Sequence, residues 1–268
     1  MSFVDYSKIG ILTTVVNFEL YKKSSSLFPV GIRKFIIDGT NGMHGLDSIL
    51  FMMNKMKGQG IDWLIMADED VLFLNPNAVF ELIERMTLGD YTVCGIRDGG
   101  HIPHRVQNPY LINTFFYILN FKEVESIWNV KEILNNNYII ENEFSDDLGH
   151  LRGKFNVNSL AEPYFCFFLW LRRKGKKIYF LNSNLAFKDD DFTNSVFFEE
   201  NIILYHTWHA RFYNLNEKHT NRINQVFLKT KMINNDDSKF EALIFKDFAY
   251  SVKKMINKLN IKIMNKLR

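Results

Sequence analysis

The stretch 61–76, reading IDWLIMADEDVLFLNP, constrains the fold of this chain more than any other. It opens as an apolar strand over 63–66 and stops at three acids, Asp68, Glu69 and Asp70. A second apolar run over 71–74 follows at once, and Pro76 closes it. Carboxylates set between apolar runs are costly unless a cation meets them. In an extended backbone, residues two apart point the same way. Asp68 and Asp70 can then converge while Glu69 faces elsewhere, which makes Glu69 the structural member of the three. Two hard oxygen ligands at the end of a rigid strand suit Mn²⁺ or Mg²⁺, which leave the rest of their shell to phosphate and water.

The segments around this stretch alternate in type. Residues 8–16 (KIGILTTVV) and 33–38 (RKFIID) read as buried strands. Helical patterns over 18–27 and 46–57 separate them from each other and from the strand at 63–66. Strand, helix, strand, helix, strand predicts parallel pairing with crossover helices. In such sheets a ligand sits outside the carboxyl ends of the strands, and Thr13, Thr14, Asp38 and Asp68 all lie at such ends. The glycine-rich loop GTNGMHG after Asp38 allows the backbone to approach a ligand closely.

Further along, Asn75 and Pro76 suit the start of a helix running to Met86. Residues 91–96 read as a strand, and 97–108 as a polar loop carrying Arg97, His101, His104 and Arg105 that can face phosphate or an acceptor. An aromatic strand is expected over 110–119 and a helix over 121–134. The irregular 135–158, with Asp146 and Asp147, has the composition of a binding loop. A helix is expected over 162–174, a short strand over 178–181, and a strand over 201–205 that runs into His206, His209 and Arg211. If that last strand continued, His206 and His209 would point to opposite faces.

Composition bounds the rest. A chain of 268 residues with 47% apolar content can bury a large core. The net charge of +3 does not point to nucleic acid, and two cysteines do not make a disulfide framework. The start, MSFVDYSKIG, lacks a basic region leading into an apolar one, so no signal peptide is expected. The longest apolar run, 164–171, is too short to span a bilayer. Residues 249–268 hold six basic residues and no acidic ones. There Val252, Met255, Ile256, Leu259, Ile263 and Leu267 recur at helical spacing, with Lys254, Lys258 and Lys262 on another face. That pattern predicts a basic helical tail lying on an anionic membrane surface, and so a cytoplasmic protein peripheral to the inner face of the cell membrane.

Three features stand in a telling order: the acids after 63–66, then AEPYFCFFLWLRRKGKKIYF, then a strand ending in histidine. In this order the chain resembles the GT-A glycosyltransferases, nucleotide-sugar-dependent enzymes with a Rossmann-like half, and the resemblance covers most of residues 8–228. It implies an α/β fold with a mixed sheet flanked by helices. A nucleotide-sugar half would span about 1–120 and an acceptor half about 121–228, followed by the amphipathic tail at 229–268.

The family's Asp-x-Asp motif matches Asp68 and Asp70, where a divalent ion bridges the donor diphosphate, and its late histidine matches His206, with His209 in reserve. Many inverting members read Glu-Asp at the start of the acceptor helix. Here Pro163 follows Ala161-Glu162, which leaves Glu162 as the general base with Asp146 or Asp147 as fallback. The resemblance places Thr13, Thr14, Asp38, Asp68, Glu69, Arg97, His209 and Arg211 on the donor side and Asp146 and Asp147 on the acceptor side. It implies a UDP-sugar donor and a glycan or lipid-linked glycan acceptor, as in bacterial polysaccharide assembly. Two other readings fit part of this: a sugar nucleotidyltransferase, which wants a glycine-rich basic loop where Val15, Val16, Asn17 and Phe18 stand, and a non-catalytic partner in a glycan-assembly complex.

Overall fold

Strands whose side chains alternate between two apolar layers must be covered on both faces. In the first strand, β1 (Ile9–Val15), Ile9 and Ile11 face one core and Leu12 the other. In β3 (Trp63–Ala67), Trp63 and Ile65 share the first core, Leu64 and Met66 the second. The computed structural model, which describes residues 4–230, 242–252 and 254–256, covers both faces with helices. Helices α1 (Phe18–Ser24), α3 (Ala78–Gly89) and α7 (Glu217–Lys229) pack on one side through Leu20, Leu82 and Val226. Helices α2 (Gly45–Met56), α4 (Phe121–Ile127), α5 (Val130–Asn135) and α6 (Phe165–Arg173) pack on the other through Met52, Val124, Ile133 and Phe168.

Between the layers lies a mixed sheet, so the α/β expectation holds. β1 pairs in parallel with β2 (Arg33–Asp38) and with β3, as the alternation of strand and helix predicts. Next to β3 comes β6 (Ile112–Asn120), antiparallel, then β5 (Tyr91–Arg97), also antiparallel to β6. β5 pairs in parallel with β7 (Lys177–Phe187). Antiparallel β8 (Asp190–Phe198), β9 (Asn201–His206) and the short β4 (Val71–Phe73) complete that side. The sheet runs unbroken across residue 120, joining strands from both expected halves.

Four local expectations change. The helix expected over 121–134 is two helices, because the Asn129 side chain accepts from Glu132 N and starts a new one. The helix expected from Glu162 starts at Phe165, and Glu162 and Pro163 lie on the bend before it. The short strand at 178–181 extends to Phe187 and turns over two residues into β8, a strand with no sequence-level signal. Within 229–268, the chain is not helical throughout. Leu243–Phe245 forms β10, parallel to β2 at the sheet edge, and residues 250–252 and 254–256 are helical. Val252, Met255 and Ile256 are exposed, while Leu259, Ile263 and Leu267 lie outside the described residues. No helix among the described residues is long and apolar enough to cross a membrane.

Candidate active site

The three acids do not stay in an extended strand. Val71 N donates to Asp68 O (3.1 Å), closing a tight turn over 68–71. The turn, not strand alternation, brings the Asp68 and Asp70 carboxylates to one side. β9 then delivers the histidine. His206 stands opposite Val71 in the antiparallel register of β4 and β9, and Thr207 N donates to Asp70 O (3.0 Å). This pairing sets His206 Nε2 3.2 Å from Asp70 Oδ1. Asp68, Asp70 and His206 each offer a ligand atom, and the three atoms lie within 4.8 Å of one another. Phe115 from β6 holds the imidazole from behind, its ring stacked on His206 at 4.0 Å between centroids.

Two carboxylates and one imidazole, two of the three residues buried, fit a divalent cation: the set carries up to two negative charges that no lysine or arginine neutralises by direct pairing among the described residues. Burial first, then Asp70 and Glu69, raise the Asp68 carboxyl well above its ordinary range, with Arg211 opposing. A bound cation would reverse that tendency. Two carboxylates and an imidazole nitrogen are donors that could hold Mn²⁺ or Mg²⁺.

Glu69 also lines the cleft, with its carboxylate bound to backbone. Its Oε1 accepts from Val16 N (3.0 Å) and Asn17 N (3.2 Å), tying the tip of β1 and the start of α1 to the acidic turn. Burial and then Asp70 push its carboxyl up to about 7.

The acidic turn forms one wall of a cleft of about 650 Å³ at the carboxyl ends of β1 and β3. Glu162 and Arg105 stand on another wall, and His209, Arg211 and Lys254 also line it. His206 and His209 face the same cleft, contrary to the strand-alternation argument, because β9 stops at His206. Trp208 and His209 then take left-handed backbone angles (φ 58° and 66°), which swing the chain round. Left-handed angles at two successive bulky residues are strained and are held here by packing; the Trp208 indole donates to Asn194 Oδ1 (2.8 Å).

Thr14 lines the cleft and shares a hydrogen bond with Ser48, whereas Thr13 is buried behind it. Asp38 pairs with Lys246 of the C-terminal segment (2.6 Å) and bonds Thr40, and it is not among the lining residues. Arg97 donates to Pro109 O (2.7 Å) and reaches Asp146 (3.5 Å), with its guanidinium over Phe180, so the structure does not bring it to the cleft. Asp146 is taken by Arg97 and Arg172, and Asp147 accepts from Gly149 N; neither lines the cleft. The structure thus does not bring Arg97, Asp146 or Asp147 to the cleft that holds Asp68, Asp70 and His206.

The sequence reading missed the Glu162 surroundings. Asp98, fully buried at the end of β5, accepts from Arg105 Nε (2.6 Å) and Nη2 (2.7 Å), from the Tyr164 hydroxyl (2.7 Å) and from Asn113 Nδ2 (3.0 Å). Arg105 Nη2 also donates to Glu162 Oε1 (2.9 Å). The sequence signal available was one acid directly after the apolar strand 91–96, the same arrangement that singled out Asp68.

No family model matches the chain, and no curated protein matches it. Among solved structures, a mutant of Drosophila β-1,4-galactosyltransferase 7, in complex with manganese, UDP-Gal and xylobiose, is 15% identical over 88% of this chain and 81% of that one, with a TM-score of 0.40. GlyE, a glycosyltransferase of Streptococcus pneumoniae, is 9% identical over 84% and 64%, with a TM-score of 0.36. Mouse xyloside xylosyltransferase 1 is 15% identical over 61% and 58%, with a TM-score of 0.30. Likenesses this loose do not carry fold or activity over to this chain, whose reading rests on its own geometry.

Proposed function

We propose that this protein is a metal-dependent glycosyltransferase of the GT-A type. It moves a sugar from a nucleotide diphosphate sugar, a UDP-sugar, to a hydroxyl of a glycan acceptor. One observation carries the reading: Asp68, Asp70 and His206 converge within 4.8 Å at the sheet's carboxyl edge, on the same cleft as Glu162. Asp68, Asp70 and His206 would hold Mn²⁺ or Mg²⁺, which when bound neutralises the charge that grows on the leaving diphosphate. Thr14, His209 and Arg211 line the same cleft and contact the donor. In an inverting reaction, an acceptor hydroxyl attacks the anomeric carbon from the side opposite the diphosphate. The new carbon–oxygen bond forms as the bond to phosphate oxygen breaks, the electron pair leaves with UDP, and Glu162 takes the hydroxyl proton.

The acceptor is a lipid-linked glycan at an anionic membrane surface, as in bacterial polysaccharide assembly. Lys254 lines the cleft, and exposed Val252, Met255 and Ile256 flank it in a basic terminal segment, which supports contact with such a surface on the cytoplasmic side.

A panel of UDP-sugars incubated with Mn²⁺ tests the reading. UDP release that disappears with EDTA and in Asp70→Ala is expected, and full turnover by Asp70→Ala in EDTA would overturn it. The anomeric configuration of the product, read by NMR, decides whether the reaction inverts. A protein lacking residues 243–268 is expected to lose co-sedimentation with phosphatidylglycerol vesicles, and undiminished binding refutes the membrane contact.

A further inference from the structure

We propose that Asp98 is a positioning residue that acts on Glu162 through Arg105. The proposal rests on the reading of Glu162 as the carboxylate that faces the acceptor.

The geometry builds outward from β5. Asp98 N donates to Leu111 O (2.9 Å) and Gln107 N donates to Asp98 O (3.0 Å), while Gly99 and Val106 form an isolated antiparallel bridge. The loop 98–107 therefore folds back on itself and carries Arg105 over the Asp98 side chain. A carboxylate with no exposed surface demands donors, and Asp98 receives four hydrogen bonds from three side chains. Two of them come from one guanidinium in the fork geometry that fixes orientation as well as distance.

A purely structural pair would end there. Instead Arg105 Nη2 is shared with Glu162 Oε1, and Arg105 and Glu162 both line the cleft. Glu162 stands on the bend before α6, and Arg105 is the side chain that fixes its carboxylate among the described residues. A glutamate has three side-chain torsions, so without that contact its carboxylate samples several directions into the cleft. With Arg105 clamped by Asp98, Glu162 is held in one of them before any acceptor arrives.

The test uses the whole chain and water as the acceptor. UDP release from the UDP-sugar that the wild type hydrolyses fastest is measured with Mn²⁺ for Asp98→Asn, Glu162→Gln, the double variant and Arg105→Lys. Asp98→Asn is expected to lower kcat roughly 10- to 100-fold, the usual range for groups that orient a reacting ligand, with the donor KM within about twofold. In the Glu162→Gln background, Asp98→Asn is expected to change kcat by no more than about twofold, because the residue it positions has already lost its charge. Arg105→Lys keeps the charge but loses the fork. It reproduces the loss of kcat and serves as the decisive variant should Asp98→Asn fold poorly by thermal melting.

Losses that multiply in the double variant, or an Arg105→Lys protein with wild-type kcat, overturn the positioning role while leaving Glu162 in place. A Glu162→Gln protein that releases UDP at the wild-type rate defeats the underlying reading of Glu162, and the inference falls with it.

Discussion

Replacing Asp70 by Asn should stabilise the metal-free protein and remove its response to Mn²⁺. Ligand atoms of Asp68 and Asp70 lie within 4.8 Å of each other, with no lysine or arginine paired to either among the described residues. Two unit charges at that separation repel by about 3.5 kcal/mol at an effective dielectric of about 20, an upper bound because burial and Asp70 raise the Asp68 carboxyl well above its ordinary range and so favour its neutral form. Asp68 keeps a partly exposed edge, so solvent trims this figure. The substitution also weakens the 3.2 Å contact between Asp70 Oδ1 and His206 Nε2, worth no more than the roughly 1.5–3 kcal/mol of a well-aligned hydrogen bond to a charged group. The net gain is on the order of 1 kcal/mol, or about 2–4 °C in Tm for a chain approaching this size. In the wild type, Mn²⁺ at a hundred times its Kd should add about 2.7 kcal/mol. Thermal melts in EDTA and across a Mn²⁺ titration read both effects. A variant that melts well below the wild type in EDTA, or that keeps the full Mn²⁺-dependent rise, would show that Asp70 is a structural acid and not a ligand.

Two other perturbations follow from the geometry. His101 is held down to about 4, first by burial and then by Arg97 and His150, so the folded state keeps it neutral where the unfolded chain, near 6.5, binds a proton. Stability should therefore be present above about pH 6.5 and fall as pH drops towards 4, by about 2 kcal/mol between pH 7 and pH 5. Urea unfolding of His101→Asn should show a flatter acid limb, and an unchanged slope would refute the assignment. At Gly99, an added Cβ would clash with Gln107 O and sit 3.0 Å from Phe155 Cβ, so Gly99→Ala must move the loop that carries Arg105. It should cost roughly 1–3 kcal/mol in urea unfolding and reduce UDP release more than Leu88→Ala, a change at an exposed position on α3. Equal activity of the two would separate the loop from the site.

What could be read in the sequence was whatever obeys a short period. The apolar runs of β1, β2 and β3 report their own burial, and their spacing by helical patterns reports parallel pairing. β8 could not be read this way. Apart from Phe192, the stretch Asp190 to Ser195 is polar, yet Thr193, Asn194 and Ser195 are buried: β7 and β9 flank it, and the Asn194 amide donates to Ser183 Oγ and accepts from the Trp208 indole. The turn before it, Lys188-Asp189, lacks the glycine or asparagine that marks a two-residue hairpin. The break between α4 and α5 was visible in principle, since Asn129 stands three residues before Glu132 in the pattern of a helix start.

The candidate site divides along the same line. Asp68 and Asp70 are close in sequence, and a local argument found them, although it gave the wrong mechanism: the turn closed by Val71 N joins them, not the pleat. His206 and Glu162 came from motif order. Arg105 stands out in the sequence only as one base of a polar loop, and Asp98 carries only the signal of an acid after a strand. Their pairing was not legible, because the loop that joins them gains meaning once Tyr164, 66 residues on, closes over the same carboxylate. Asp38 shows the reverse. It sits at a strand end as a ligand-binding acid should, and a segment about 208 residues later supplies Lys246 to neutralise it. Strand-end position thus nominates residues, and long-range partners decide among them. A strand-end acid with a lysine already paired to it, as Asp38 is with the exposed Lys246, has its charge answered by the fold. Asp68 and Asp70 have no lysine or arginine paired to them among the described residues, and that unanswered charge is what supports the cation proposed there.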